Sequence, residues 1–567
     1  MEIQRPYSER YSGHNAKPAS SADARGTRER WEVLLPESRL IKTEMIEFRE
    51  YLYDTVKKIN PGQNAMVVLP TGKGKTYVAL FAMAKALSKE KRFMIVAPTL
   101  PLVKQHYDFA TSMLRDHEGV ALITGSIRNP EHRQEIEAKA KVIIATPETM
   151  VNDITSRRLS LSGFDAVVFD ECHKTRGKYA YTALAGECKL AGTRIIALTA
   201  TPSSRNSIVD SIFETMGINI SVVKASYDGD MAPYIMPRQT VVVEVEMSES
   251  QRNVGSMIKA LSERQFNVLK AARFTNEEKL DGMPYKKFKD IKSSIDAAWM
   301  RFRENTLLQH QSIEHIKDAT ISYHKIEYLS YARNLLETEG FTPFDEYMRS
   351  LVDKKTQSAE RLVRGEPFKQ IMLEAAKAMR SGEEHPKVSW LISNTNTIGA
   401  DSIIVFAQYR STVNMLVERL NASGISAKPL TGKGQGVTQK AQQETIKEFS
   451  DNKFRVMVCT SIGEEGLDIP SDPMVVSYGP VPSGIRSIQR KGRTGRAKPG
   501  KELVLVTKGT RDEHYMTASI WRERSVERIV GNLRGSSKYN ALQIRENGIG
   551  FSQRKRGSKP LQLMLRF

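Results

Sequence analysis

The sequence predicts an α/β protein built from two tandem parallel-sheet domains with a mainly helical domain inserted between them. Three observations carry that expectation. Short, continuous, β-branched apolar runs recur along the chain, each followed by a stretch with helical spacing, as expected for strands buried on both faces of a parallel sheet. The pattern lapses between about residues 248 and 384 and then returns. At 567 residues the chain is also too long for one hydrophobic core.

Residues 1–30 are rich in Ser, Arg, Gly and Asn and poor in large apolar side chains, so they are expected to form a disordered arm. The first α/β domain is assigned to 31–247, with strands AMVVL (65–69), FMIVA (93–97), VIIAT (142–146), AVVFD (166–170) and IIALT (195–199). The insert is assigned to 248–384. There Val254, Met257, Ile258, Leu261, Val268 and Ala272 fall close to one helical face, as do Ile291, Ile295, Trp299 and Phe302, and Gly340 offers a helix stop. Lys286, Lys287, Lys289 and Lys292 beside Tyr285 and Phe288 read either as a grip on a phosphate backbone or as a solvated helix face. Pro386 marks re-entry to a second α/β domain at 385–535, with strands SIIVFA (402–407), RVMVCT (455–460), MVVSY (474–478) and ELVLVT (502–507). A basic tail occupies 536–567.

Eighty-five Lys and Arg against 65 Asp and Glu give a net charge of +20, which favours a polyanionic partner such as nucleic acid. Cys172, Cys188 and Cys459 are scattered without metal-ligand spacing, arguing against a zinc site or disulfide framework. No apolar run has the length of a membrane span and no signal-peptide core opens the chain, so the expected setting is intracellular.

The chemistry starts at residues 65–80, a strand, a loop and a helix in that order. Glycines in the loop Pro70, Thr71, Gly72, Lys73 and Gly74 let backbone N–H groups approach phosphate oxygens. Lys75 can then reach the outer phosphates, and the Thr76 hydroxyl can hold Mg²⁺. The strict pattern places glycine where Leu69 stands. Asp170 and Glu171 follow a strand directly and fit the two acidic roles of a nucleotide hydrolase: one carboxylate to hold Mg²⁺, one to orient or deprotonate water. Thr199, Ala200, Thr201 and Pro202 end another strand, where hydroxyls can bond to the acidic loop. In the second domain QRKGRTGR (489–496) spaces Arg493 and Arg496 about one helical turn apart, suited to charge-assisted contact with a phosphoryl group.

In order, PTGKGKT (70–76), APTLPLVKQ (97–105), ATPETMVND (145–153), DECH (170–173), TATP (199–202), IVFAQYR (404–410), TSIGEEGLDIP (460–470) and QRKGRTGR (489–496) resemble the motif set of superfamily 2 helicases. DECH together with a helical insert is similar to the archaeal Hef helicases and the Fanconi-anaemia M-type translocases, with RIG-I and Dicer motors as close relatives. The resemblance implies two RecA-like domains with ATP and Mg²⁺ in the cleft between them. Pro70 to Thr76 would cradle the phosphates, Thr76 and Asp170 would hold Mg²⁺, and Glu171 would be the general base. Gln489, Arg493 and Arg496 would face the γ-phosphate, and Gly466 and Asp468 the ribose. Thr99, Gln105, Thr146, Gln408, Arg410 and Thr460 would line the nucleic-acid strand. Relatives often carry an Arg-x-Tyr-Gln element whose glutamine reads adenine; Arg49 and Tyr51 are retained here, and Leu52 replaces the glutamine.

These implications predict an ATP-dependent helicase or translocase on branched DNA such as forks and Holliday junctions, acting in replication restart and repair. Two alternatives stand beside it: a double-stranded-RNA-stimulated ATPase of the RIG-I and Dicer kind, and an ATP-switched scaffold recruiting a nuclease or clamp. Hef proteins often carry a nuclease, and no such cluster follows Arg496, so any nuclease would be a separate partner. The end of the tail, from Leu561 to Phe567, resembles a degenerate sliding-clamp-binding peptide; packing on the second domain is the other reading.

Overall fold

The computed structural model describes residues 35–47, 49–59, 62–304, 310–432, 437–464, 473–495 and 499–535. The expected arm at 1–30 and tail at 536–567 lie outside them. A first lobe opens with α1 (Glu50–Ile59) and holds seven strands: β1 (Ala65–Val68), β2 (Arg92–Val96), β3 (Val120–Ile123), β4 (Val142–Ala145), β5 (Phe164–Phe169), β6 (Arg194–Thr199) and β7 (Ile220–Val223). The crossovers are α2 (Lys75–Ser88), α3 (Leu100–Met113), α4 (Pro130–Lys139), α5 (Pro147–Thr155), α6 (Ala180–Ala191) and α7 (Asn206–Met216). Every strand pair is parallel, in the order β3-β4-β2-β5-β6-β1-β7. Alternate residues of the central strands feed two cores, so Val67, Ile95 and Val168 pack on one face and Met66, Met94 and Val167 on the other. That explains why these strands read as continuous apolar runs.

The second sheet is six-stranded and all-parallel: β8 (Arg238–Val245), β9 (Ile403–Phe406), β10 (Ala427–Leu430), β11 (Val456–Cys459), β12 (Met474–Ser477) and β13 (Gly500–Thr507), ordered β10-β11-β9-β12-β13-β8. Here the structure departs from the expected boundary at 247. β8 precedes the insert yet pairs along its whole length with β13, from Arg238 opposite Gly500 to Val245 opposite Thr507. The chain therefore crosses to the second sheet before it builds the insert.

The insert comprises α8 (Glu249–Ala271), α9 (Tyr285–Glu304), α10 (His310–Thr338), α11 (Phe341–Ser350), α12 (Gln357–Val363) and α13 (Glu366–Arg380). Ser248 and Gln251 close a capping box at the start of α8, satisfying two helix-end donors reciprocally. Val254, Ile258 and Leu261 pack at the root with Leu335, Phe341 and Phe344, while Phe266, Ile291 and Ile295 form a separate core toward the tip.

After the insert come α14 (Pro386–Thr395), α15 (Arg410–Ala422), α16 (Gln439–Ser450), α17 (Gly484–Lys491) and α18 (Arg511–Gly535). A buried polar knot ties the insert to the second sheet. Lys387 Nζ pairs with Asp512 at 2.5 Å and donates to the Thr338 carbonyl at 3.0 Å. Thr412 donates to Glu339 at 2.7 Å, and the Tyr478 hydroxyl donates to the Glu339 carbonyl. α18 belongs to both lobes: Asp512 bonds the end of β13, while Val526, Ile529, Val530 and Leu533 join the first lobe's core. All three cysteines are buried free thiols. Among the described residues no helix is long and apolar enough to cross a membrane.

Candidate active site and nucleic-acid face

Sheet order decides which motifs meet. In open parallel sheets, ligand-binding loops lie at the carboxyl ends of the strands. The loops after β5, β6 and β1 are neighbours in the first sheet, so Asp170-Glu171, Thr199 and Lys75 converge. The loops after β4 and β2 lie beside them and carry Thr146 and Thr99. In the second sheet β11 and β9 are neighbours, which sets Thr460 beside Gln408 and Arg410, while α17 follows β12 on the other side. The first sheet thus divides into one half bearing the expected nucleotide residues and one half bearing the expected strand contacts.

At the P-loop, Gly72 (φ 72°) and Gly74 (φ 95°) adopt the left-handed conformation that suits glycine, and Gly74 caps α2. Lys75 Nζ lies 3.5 Å from Glu171 Oε1. Burial alone would push the Glu171 carboxyl up; the Lys75 ammonium and the His173 ring outweigh it and hold the group well below the usual carboxylate range. Glu171 itself sits at φ 51°, a conformation costly for a non-glycine residue and therefore held by its surroundings. His173 Nδ1 is 3.2 Å from both Glu171 Oε2 and Thr199 Oγ1, which links the acidic loop to the TATP turn. Asp170 accepts the Glu171 backbone N–H on Oδ1 and meets His106 Nε2 at 2.8 Å on Oδ2.

Lys73 is a departure. Its side chain is buried and donates to the Tyr234 carbonyl, so it can offer phosphate only its backbone. Around it the Tyr51 hydroxyl donates to the Lys73 carbonyl at 3.1 Å, and the Arg49 guanidinium lies 5.2 Å over the Tyr234 ring. Leu52 is buried beneath the loop, its Cδ1 3.4 Å from where a Cβ on Gly74 would stand, and it has no polar atom with which to read a base.

The second lobe touches the P-loop directly. A Cβ on Gly492, at the end of α17, would lie 2.4 Å from Thr71 Oγ1. Gln489 is buried on α17, and Arg493 donates to the Glu464 carbonyl at 2.6 Å. The Glu464 carboxylate in turn accepts from Arg486 at 2.7 and 2.9 Å and from Arg490 at 2.8 Å, so one acid organises the basic motif. Arg496, Gly466 and Asp468 lie outside the described residues.

Thr99 caps α3 and Thr146 caps α5, with the Thr146 hydroxyl 2.8 Å from that of Thr149. Gln105 is partly exposed on α3 and Gln408 is exposed. Arg410 reaches the Gly432 carbonyl at 2.9 Å, and the Thr460 N–H bonds the Leu430 carbonyl. In the insert, Lys287 pairs with Glu277, Lys292 with Asp296, and Phe288 stacks on Tyr323 at 4.5 Å, so much of that cluster is engaged within the helices. His106 and Tyr234 escape a reading by motif; Glu464 lies inside TSIGEEGLDIP (460–470), but the resemblance implies no role for it. The only signal for His106 is its place in the stripe Val103, His106, Ala110 and Met113, where an apolar residue is expected.

Carboxylate and hydroxyl oxygens from Thr76, Asp170 and Glu171 form a donor set suited to a hard cation, and the two Glu171 oxygens face the Lys75 and His173 nitrogens at 3.5 and 3.2 Å. The residues therefore fit Mg²⁺ held with substrate phosphates.

Comparison with known proteins bears on the family of the chain. The DEAD/DEAH box helicase profile matches residues 50–208 and the helicase conserved C-terminal domain profile matches 386–498. The Pyrococcus furiosus Hef helicase domain aligns with a TM-score of 0.62 at 31% identity, over 85% of this chain and 100% of that domain. A Methanocaldococcus jannaschii protein provisionally named an ATP-dependent RNA helicase is 34% identical over 88% of this chain and 62% of its own length. The ATP-dependent DNA helicase MPH1 of Pyricularia oryzae is 28% identical over 84% of this chain and 45% of its length. Arabidopsis thaliana FANCM, named a DEAD-box ATP-dependent RNA helicase, is 27% identical over 83% of this chain and 36% of its length. The chain thus spans about half the length of the curated relatives it matches.

Proposed function

The chain belongs to the DEAD/DEAH box helicases of superfamily 2, as an ATP-dependent helicase similar to the Hef and FANCM group, and from that premise we propose that it moves on branched DNA. The observation that carries the ATP-driven part of this reading is the contact of Gly492 with Thr71, which brings the basic motif of one lobe onto the phosphate loop of the other. ATP binding in that cleft would place its phosphates among the backbone N–H groups of Pro70 to Gly74 and against Lys75. Thr76 and Asp170 would hold Mg²⁺, which would supply charge neutralisation at the phosphates.

Lys75 cannot serve phosphate and Glu171 equally. As the phosphates draw its ammonium away, the Glu171 carboxylate loses its strongest counter-charge and becomes more basic. It is then able to orient a water and take its proton. Arg493 would leave the Glu464 carbonyl for the γ-phosphoryl group, with Gln489 beside it and Arg496 and the ribose contacts of Gly466 and Asp468 completing the site. Hydrolysis would then depend on both lobes, so closing and opening the cleft advances the strand along Thr99, Gln105, Thr146, Gln408, Arg410 and Thr460. Such contacts to phosphates and sugars are independent of sequence, as a tracking motor requires.

DNA as the track is supported by relatives named DNA helicases and by the similarity to the Hef domain. RNA is the second reading, favoured by the name of the 34% identical relative. Measuring ATPase stimulation by forked DNA, single-stranded DNA and double-stranded RNA separates them. We expect forked DNA to stimulate most; stimulation by RNA alone would overturn the substrate assignment.

A further inference from the structure

His106 occupies a position that the fold reserves for an apolar side chain. It lies in the buried stripe of α3, between Val103 and Ala110, and is 4% exposed. A polar ring there needs a partner, and it has one: Nε2 lies 2.8 Å from Asp170 Oδ2, while Nδ1 is buried without a hydrogen bond. A carboxylate only accepts, so Nε2 carries the hydrogen and donates. The rest of Asp170 is fixed by its own neighbourhood. Its N–H bonds the Val96 carbonyl, its carbonyl accepts from the Tyr181 hydroxyl at 2.7 Å, and Oδ1 accepts the adjacent N–H of Glu171. His106 is thus the contact through which another helix sets the carboxylate's second oxygen.

That helix is the one whose cap and outer face carry Thr99 and Gln105. Gln105, partly exposed, is the residue next to His106, so α3 carries a side chain toward the strand face and one seated on Asp170 at adjacent positions, and β2 and β5, which lead into the two segments, are neighbours. A helix cannot shift toward a bound strand without carrying His106 with it.

We propose that His106 is a positioning residue that couples strand binding on α3 to the nucleotide site through the Asp170 carboxylate. The proposal rests on the reading of Asp170 as part of that site. Energetic coupling between two ligands is reciprocal. It can therefore be read from binding alone, as the ratio of affinities for a fluorescein-labelled oligodeoxythymidylate with and without AMP-PNP and magnesium, measured by anisotropy.

In the native chain the ratio should depart from one by about tenfold. His106→Phe keeps the ring's bulk and loses the donor, and should bring the ratio to within about twofold of one. His106→Gln sets an amide N–H near the Nε2 position and should retain most of the coupling; His106→Asn is too short and should lose it. An unchanged ratio in His106→Phe overturns the proposal. So does equal loss in His106→Gln and His106→Asn, which would mean that packing and not the donor matters, and this pair decides the question if the Phe variant does not fold. Glu171→Gln is the separate control for the site itself: if it turned over ATP normally, the catalytic reading would fail whatever His106 does.

Discussion

Glu339 shows how a single buried carboxyl at the root of the insert sets a pH dependence. Burial pushes it up to about 7, against the opposing pull of Lys387 and Thr412, with Asp512 and Arg490 also facing it. The unfolded chain releases this proton near 4.5, so between those values it binds fewer protons than the folded chain. Stability from this group is therefore lost as pH rises through that window, by at most about 3 kcal/mol in full. Its neighbour His385 acts in the opposite sense. Burial is the main cause holding it down at about 3, so its contribution is lost as pH falls below the ordinary histidine range. A single profile mixes the two, and comparison with Glu339→Gln separates them. The amide still accepts from Thr412 and cannot ionise. Denaturant midpoints measured between about pH 5 and 8 should fall less steeply with pH in the variant than in the native chain. Parallel profiles would show that Glu339 is ionised throughout.

Among the elements, α17 and its terminal Gly492 make the sharpest demand on side-chain size. No L side chain fits at Gly492 while Thr71 stays in place. Gly492→Ala should hold the lobes apart by the better part of an ångström, and small misplacement of reacting groups has a large kinetic effect. We expect kcat for ATP to fall by about 100-fold in a coupled assay, with an unchanged circular dichroism spectrum. Near-normal turnover would mean that the catalytic geometry forms without this contact. The sequence made the motif legible but not the touch, because contact across a cleft leaves no local pattern. Central strands were legible for the opposite reason: buried on both faces, β1, β2, β5, β9 and β11 read as apolar runs. β10 hides behind Pro429, tolerable on an edge strand, and β7 is only partly buried. β8 reads as a strand by its Thr-Val-Val-Val run, but nothing local says which sheet it joins.

At the scale of the whole molecule, α18 joins the lobes independently of the cleft. Its 25 residues span about 37 Å at the rise of an α-helix. The first turn is tied to the second sheet through Asp512, and the middle lies on α17, where Arg522 backbone would be 2.7 Å from a Cβ on Gly484 and Glu523 pairs with Lys491. The last turns bury Val526, Ile529, Val530 and Leu533 in the first lobe, and the Leu533 carbonyl accepts from Ser221 at 3.0 Å. Burying four such side chains is worth roughly 6–12 kcal/mol, several times the coupling energy between ligand sites. The far end of α18 should therefore stay with the first lobe throughout the cycle, and the lobes should move by flexing where the helix meets α17 and β13. Separate sequence domains at 247 and 535 do not anticipate this, because an amphipathic helix announces a buried face and not its partner. Replacing Ile529 and Val530 together by Asp should free that end. Strand-stimulated ATPase should drop about tenfold or more, because Arg493 then loses its fixed approach to the P-loop. Mant-ADP affinity, which depends on the first lobe, should change by no more than about threefold. Trp521→Ala, on the exposed side of the same helix at 53% exposure, should leave both quantities unchanged. Full ATPase in the double Asp variant would show that α18 is packing alone, with no part in aligning the two halves of the motor.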